Sequence, residues 1–206
     1  MIDLKCSEIL KNQLNFNDKH LEKLSFFHDE LLNFNKKYNL IGKSTESNIW
    51  NRHFLDSAQL VKYINFNDQQ SLSDLGTGAG FPGLVLAIYN PNINFHVKLY
   101  EKSRVKCLFL KEIRKKLKIN CFIYDNDYQS HIIRSNYITC RAFKKMAEIL
   151  AFSRENVDLS HKLIILKGKN AQAEANKAFK DKIFKYRLAK SMTSKDSHII
   201  IVDIKK

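Results

Sequence analysis

The stretch Asp74-Leu75-Gly76-Thr77-Gly78-Ala79-Gly80-Phe81-Pro82-Gly83 decides the fold of this chain. Four glycines in eight positions follow a short apolar run (Leu72, Leu75) and precede Leu84-Val85-Leu86-Ala87-Ile88. That order predicts a strand, a glycine-rich turn and the opening of a helix. Glycine adopts backbone angles closed to other residues and lets a ligand approach the main chain. Pro82 suits the first turn of a helix, where a missing N–H costs nothing. Asp74 then lies near the carboxyl end of the strand, the edge at which open α/β sheets bind ligands. A nucleotide-like cofactor is expected here.

Two cofactor classes fit these ten residues. Gly78, Gly80 and Gly83 read as G-x-G-x-x-G, the dinucleotide fingerprint. Asp74, Gly76, Gly78 and Gly80 read as D-x-G-x-G-x-G, which resembles the loop of S-adenosylmethionine-dependent methyltransferases. Both classes place an acid at the end of the next strand to hold ribose hydroxyls, and Glu101, closing Val97-Lys98-Leu99-Tyr100-Glu101, has the expected spacing of roughly 20 residues.

Outward from the loop, strands and helices alternate. Strands are expected at 95–101, 121–124, 137–140, 162–167, 183–189 and 198–204, with helices at 102–118, 146–154 and about 171–180. The 102–118 helix shows an apolar stripe of Val105, Leu108, Phe109, Ile113 and Leu117. Alternating units imply an α/β fold with a doubly wound, mostly parallel sheet. A short polar link joins the last two strands, so they must pair as an antiparallel hairpin.

Towards the amino terminus, residues 1–15 read as a short helix. A second begins near Leu21, with Asp18 as candidate cap and apolar residues recurring at the helical period. His28 falls on its apolar face and reads as a core histidine. Ser44 or Thr45 is the candidate cap of a third helix spanning Ile49 to about Ile64. Arg52, His53 and Asp56 share a face there. No nucleophile motif accompanies them, so they read as a helix-surface ion pair rather than part of a triad. The expected organisation is a helical extension over 1–45 and a main domain over 46–206.

Composition narrows the partners. Thirty-five Lys+Arg against 21 Asp+Glu give a net charge of +14 and a pI near 9.6. Such a balance favours a polyanion such as nucleic acid. The competing explanation is compositional, because chains this rich in Asn and Ile also accumulate lysine. Cys6, Cys107, Cys121 and Cys140 form no C-x-x-C pair, which argues against a zinc or redox site. Isolated thiols fit a reducing cytoplasm. The longest apolar runs are too short to span a bilayer, and the charged amino terminus does not read as a secretory signal.

The terminal hairpin separates the two cofactor classes. An antiparallel strand inserted in a parallel sheet is the usual finish of methyltransferases, whereas dinucleotide dehydrogenases continue into a catalytic domain. Methyl transfer is favoured, with S-adenosylmethionine as donor.

The ordered set Tyr38-Asn39-Leu40, Arg52-His53-Phe54-Leu55-Asp56-Ser57, the glycine loop, Arg141-Ala142-Phe143 and Leu166-Lys167-Gly168-Lys169 resembles the bacterial small-subunit rRNA methyltransferase G family over nearly the whole chain. The resemblance implies methylation of N7 of one guanine in 16S rRNA near the decoding centre. It implies 16S rRNA or the small ribosomal subunit as partner; a monomeric chain, no metal and no membrane are expected besides. Gly76 and Phe81 would line the cofactor site, with Arg141 at its far side, beside Asp74, Gly78 and Glu101. Tyr128 and Gln129 align with residues that contact the adenosine. There the family usually carries R-x-E, and this chain reads Asp127-Tyr128-Gln129. It also has Ser197 where the family has an arginine before the last histidine, with Lys195 nearby. Arg52 and His53 are expected on the substrate-side wall, and Lys167 and Lys169 near phosphates, against the alternative of solvated surface charge. Two rivals stay open: a methyltransferase with a different RNA target, and an RNA-binding assembly factor that kept the fold without the activity.

Guanine N7 attacks through an in-plane lone pair without first losing a proton, so no general base is required. Positioning alone supplies much of the acceleration, and no catalytic residue is expected beyond Arg141 as a positioning candidate. Cys140 is disfavoured as a nucleophile, since such chemistry needs an activated thiolate.

Overall fold

The computed structural model describes residues 2–141, 144–180 and 184–206 and has a seven-stranded sheet at its centre. Met1, Ala142 and Phe143 of the R-A-F stretch, and Ile183 of the expected sixth strand lie outside the described residues. Helices α1 (Leu4–Leu14) and α2 (Asp18–Tyr38) open the chain. A single turn α3 (Lys43–Glu46), a π-helical turn (Trp50–Leu55), α4 (Asp56–Ala58) and a 3-10 turn (Gln59–Tyr63) follow. The sheet region runs β1 (Ser71–Leu75), α5 (Gly83–Tyr89), β2 (His96–Tyr100), α6 (Arg104–Leu117), β3 (Cys121–Tyr124) and β4 (Tyr137–Arg141). It ends α7 (Met146–Asn156), β5 (His161–Lys167), α8 (Ala171–Ala178), β6 (Tyr186–Lys190) and β7 (His198–Ile204).

The strand order is β3-β2-β1-β4-β5-β7-β6. All neighbours pair parallel except β7, which lies antiparallel between β5 and β6. The expected hairpin is therefore present, and its last strand is the inserted one. Chain order reverses between β1 and β4, which makes their carboxyl ends the switch point where such sheets open a crevice.

Period-two alternation sorts the strand side chains between two cores. Ile164 and Leu166 of β5 join Ile199 and Ile201 of β7 in one apolar cluster, with Leu24 and Phe27 of α2 and Phe109 of α6. Leu163, Ile165, Ile200 and Val202 face the other, with Ile149 of α7 and Ala171 and Ala175 of α8. The amino-terminal helices thus share a core with one face of the sheet.

Several local expectations change. The cap of α2 is Asn17, which accepts from His20 N at 2.9 Å while His20 Nδ1 accepts from Asn17 N, a reciprocal box that displaces Asp18 into the first turn. Gly42, rather than Ser44 or Thr45, precedes α3, and the Thr45 hydroxyl donates back to Gly42 O at 2.7 Å. The regular helix expected over 49–64 is broken into π, α and 3-10 turns. On α6, Leu108 is 65 % exposed and Val105 37 %, and the buried face is Cys107, Phe109, Leu110 and Ile113. The expected stripe was rotated because Arg104 and Lys111 take the outer face together with Leu108. His28 is a core residue as read, its ring stacked on Trp50 at 5.1 Å.

Candidate active site

The glycine turn is shaped by backbone angles and held by two acids. Gly76, Gly78 and Gly80 have φ of 66°, 61° and 105°, in the left-handed region that L side chains rarely occupy. Gly83 is required for space: a Cβ there would sit 2.3 Å from Leu99 Cδ2 and 2.7 Å from the Asp74 carboxylate. Asp74 is wholly buried and braces the turn from beneath. Its Oδ2 accepts from Gly83 N at 2.8 Å, and its Oδ1 accepts from the Thr139 hydroxyl at 2.9 Å. The latter contact follows from register, since Asp74 and Thr139 are partners across β1 and β4. Burial pushes the Asp74 pKa up to about 6, against the hydrogen bonds it accepts. Asp74 therefore shapes the cofactor loop rather than facing open space.

Glu101, directly after β2, accepts from Gly78 N at 2.9 Å and from Ser103 N at 2.8 Å. Its two oxygens offer about four acceptor positions in all, so ribose hydroxyls can still be received. A cavity of about 330 Å³ opens beside it, lined by Gly76, Glu101, Lys102, Tyr128, Gln129 and Lys144 among others. Here the structure gathers Gly76, Glu101, Tyr128 and Gln129 as expected together. The Tyr128 ring lies edge-on to Phe152 at 4.7 Å, and the Lys144 ammonium is 5.9 Å from its centre. Lys102 and Lys144 were not anticipated at this cavity. Their only sequence signal is adjacency, Lys102 to Glu101 and Lys144 to the R-A-F stretch.

On the other side of the switch point, Arg141 ends β4 and is enclosed by the π-helical turn. It donates to Arg52 O at 2.8 Å and to His53 Nδ1 at 2.6 Å, lies 3.8 Å from the Asp56 carboxylate, and covers the Phe81 ring at 5.2 Å. The expected surface pair of His53 and Asp56 is thus corrected. Both face Arg141 instead, whose guanidinium offers only donors and is met there by their acceptor atoms. A guanidinium has no acceptor, so His53 Nδ1 must accept and its proton sits on Nε2, which donates to Thr45 Oγ1 at 3.0 Å. Burial first, then the Arg141 and Arg52 charges, hold the His53 pKa down at about 3, and the ring stays neutral.

A cleft of about 620 Å³ lies outside this cluster, lined by Arg52, His53, Arg141, Lys167, Lys169 and the β6–β7 turn. Four of the expected substrate-side residues therefore meet in one place. They differ in freedom. Lys167 is tied down, donating to Glu174 at 2.8 Å and to Lys144 O at 2.6 Å, whereas Lys169 is exposed. The β6–β7 turn, read from sequence only as a link, forms a wall through Thr193, Ser194 and Ser197. Asp56 and Gln59 latch it. Asp56 accepts from Thr193 Oγ1 at 2.8 Å, and Gln59 bonds Met192 N at 2.8 Å and Ser191 Oγ at 3.0 Å. Ser197 stands in the cleft, and Lys195 is exposed and not among its lining residues. Cys140 is fully buried, which drives its thiol pKa far up and leaves no thiolate nucleophile. Among the described residues no cluster of three His, Cys, Asp or Glu side chains is placed to hold a metal ion. No helix among them is long and apolar enough to cross a membrane.

The sequence model of a protein family described as rRNA small subunit methyltransferase G matches residues 20–200. The chain belongs to that family. Its relatives within the family include the ribosomal RNA small subunit methyltransferase G of Rickettsia bellii, 37% identical over 187 residues that cover 90% of this chain and 95% of the relative. The protein of the same name from Rickettsia akari is 36% identical over 182 residues, 88% and 93% of the two chains. Among solved structures, a SAM-dependent methyltransferase from Aquifex aeolicus superposes with a TM-score of 0.59 at 15% identity, covering 73% of this chain and 90% of that one. A ribosomal protein L11 methylase from Lactobacillus delbrueckii does so with the same TM-score of 0.59 at 9% identity, covering 81% of each. These likenesses agree with the methyltransferase-type sheet that family membership implies.

Proposed function

We propose that this chain transfers a methyl group from S-adenosylmethionine to N7 of a guanine in 16S rRNA near the decoding centre. One observation carries the reading: two cavities meet the sheet at its switch point, one beside the glycine turn and Glu101, the other beside Arg141 and basic residues. The first suits a nucleoside with hydroxyls for Glu101 and a flat ring near Tyr128 and Gln129. Bound S-adenosylmethionine supplies a sulfonium methyl that is already electrophilic.

The protein's task is then to orient and to exclude water. Neutral His53, its Nδ1 occupied by Arg141, is not poised as a general base, and N7 attack needs none. Arg141 has two of its five donors engaged by Arg52 O and His53. Its fixed fork suits a carboxylate, a guanine O6 or a phosphate. It belongs away from N7 itself, which gains positive charge in the product. Lys169 and Arg52 suit phosphates at the cleft mouth. Residues 1–45 serve as a helical extension of the methyltransferase unit over 46–206, supported by the core they share.

Labelled methyl donor incubated with undermethylated 30S subunits, naked 16S rRNA and protein tests the reading. Label is expected in one guanine of the RNA. No incorporation into any RNA, with donor binding intact, would leave an inactive assembly factor of the same fold. Gly76→Arg is expected to abolish donor binding by filling the cavity; retained binding would show that the cofactor lies elsewhere.

A further inference from the structure

Half of the chain's net charge of +14 sits in 17 residues: between Lys102 and Lys118 there are eight cations and one acid, Glu112. Lysine enrichment by composition alone would spread evenly, yet α2 carries Lys19, Lys23, Lys36 and Lys37 against Asp18, Glu22, Asp29 and Glu30 and is balanced. The excess on α6 is local, and the fold turns it outward. Arg104, Leu108, Lys111, Lys115 and Lys118 recur at steps of three or four residues, which places them along one side of a helix. All five are exposed. Arg114 lies beside them, also exposed. Lys111 pairs with Asp125 at 2.7 Å, and Lys116 with Glu30 and Glu112. Arg104, Arg114, Lys115 and Lys118 have no ion pair among the described residues. Leu108 stands 65 % exposed in the middle of the stripe, where a soluble helix ordinarily places a polar side chain. The stripe starts at the cofactor cavity, since Lys102 lines that cavity and Arg104 follows within the first turn of α6.

We infer that this outer face of α6 docks the sugar–phosphate backbone of the RNA flanking the target base, with Leu108 against a ribose or base. The partner is RNA rather than an acidic protein because the cations form a single evenly stepped row about 20 Å long, at about 1.5 Å per helical residue, suited to a regular line of phosphates. The inference rests on the rRNA reading and adds an anchor outside both cavities.

The test compares wild type with the triple variant Arg114→Gln/Lys115→Gln/Lys118→Gln and a control, Lys177→Gln/Lys180→Gln/Lys190→Gln, at the opposite edge of the sheet. RNA affinity is measured against salt, with donor affinity by isothermal titration and methylation kinetics alongside. The α6 variant should bind the donor as wild type does, raise the KM for RNA several-fold with kcat kept, and flatten the log–log salt slope by about two to three. Arg114→Lys, which keeps the charge, should keep the slope. An unchanged slope in the α6 variant, or an equal change in the control, overturns the α6 anchor while leaving the enzyme reading intact. If wild type neither binds nor methylates RNA, the rRNA reading fails and the anchor with it.

Discussion

The guanidinium of Arg141 donates to His53 Nδ1 at 2.6 Å, joining residues 88 positions apart at the rim of the substrate-side cleft. The contact fixes the histidine tautomer, and through Nε2 and Thr45 it extends to the backbone of Gly42. Three elements of the wall, the end of β4, the π-helical turn and α3, are thereby joined through one side chain.

Arg141→Lys keeps the charge and loses the fork. Lysine has no planar pair of donors to serve Arg52 O and His53 together while facing a ligand. Methyl transfer is expected to fall by about tenfold or more in kcat/KM, the scale of one lost charged hydrogen bond of about 1.5–3 kcal/mol. Steady-state kinetics with 30S subunits would measure it, and wild-type kinetics would remove Arg141 from the site.

His53 makes stability fall in mild acid. Its pKa is held at about 3 in the fold against an ordinary 6.5. Between those values the unfolded chain takes up a proton that the fold refuses. Nothing is lost above pH 6.5, and up to about 1.4 kcal/mol is lost for each unit below it. Asp74 acts in the opposite sense, because its raised pKa of about 6 makes the fold bind the proton first. Comparing wild type with His53→Gln cancels that contribution. Urea melts from pH 7 to 5 should show wild type losing stability faster than the variant; parallel curves would contradict the buried neutral ring.

Two glycines in shared motifs should answer alanine differently. At Gly83 the new methyl meets Leu99 and the Asp74 carboxylate at 2.3 and 2.7 Å, so Gly83→Ala is expected to cost about 1–3 kcal/mol and to weaken donor binding. At Gly168 nothing lies within 4 Å, and Gly168→Ala should stay within about 0.5 kcal/mol of wild type. Thermal melts of the pair check this.

Lys167 and Lys169 separate structure from substrate binding. Lys167→Gln breaks the bond to Glu174 and leaves Lys144 O without its donor, so a stability loss of about 1–2 kcal/mol is expected. Lys169→Gln touches no internal partner among the described residues and should leave stability unchanged while weakening RNA binding in a salt-dependent way. Equal effects of the two on RNA affinity alone would remove the distinction.

The strands and helices of the sheet region were legible because they depend on local chemistry. Glycine spacing marked the turn at 76–83, and a short continuous run of β-branched residues marked His198–Ile204. The register that seats Thr139 on Asp74 depends on which strands are neighbours, and periodicity carries no such information. The helix over 49–64 was misread because the residues that widen it into a π turn pack against α1 and the β6–β7 turn from far along the chain. Likewise Val105 and Leu108 look like core residues by type, and only the position of α6 on the sheet shows that they face out.

The sequence by itself determined the cofactor turn, the acid that follows it at Glu101, and the terminal hairpin, since each is a run of neighbours whose residue types restrict the backbone directly. Tertiary structure alone decided what Arg141 does. Its partners His53, Arg52 and Asp56 lie more than 80 residues away, and the low dielectric of the enclosed site, which keeps His53 neutral and holds the guanidinium in place, exists only once those segments have packed together.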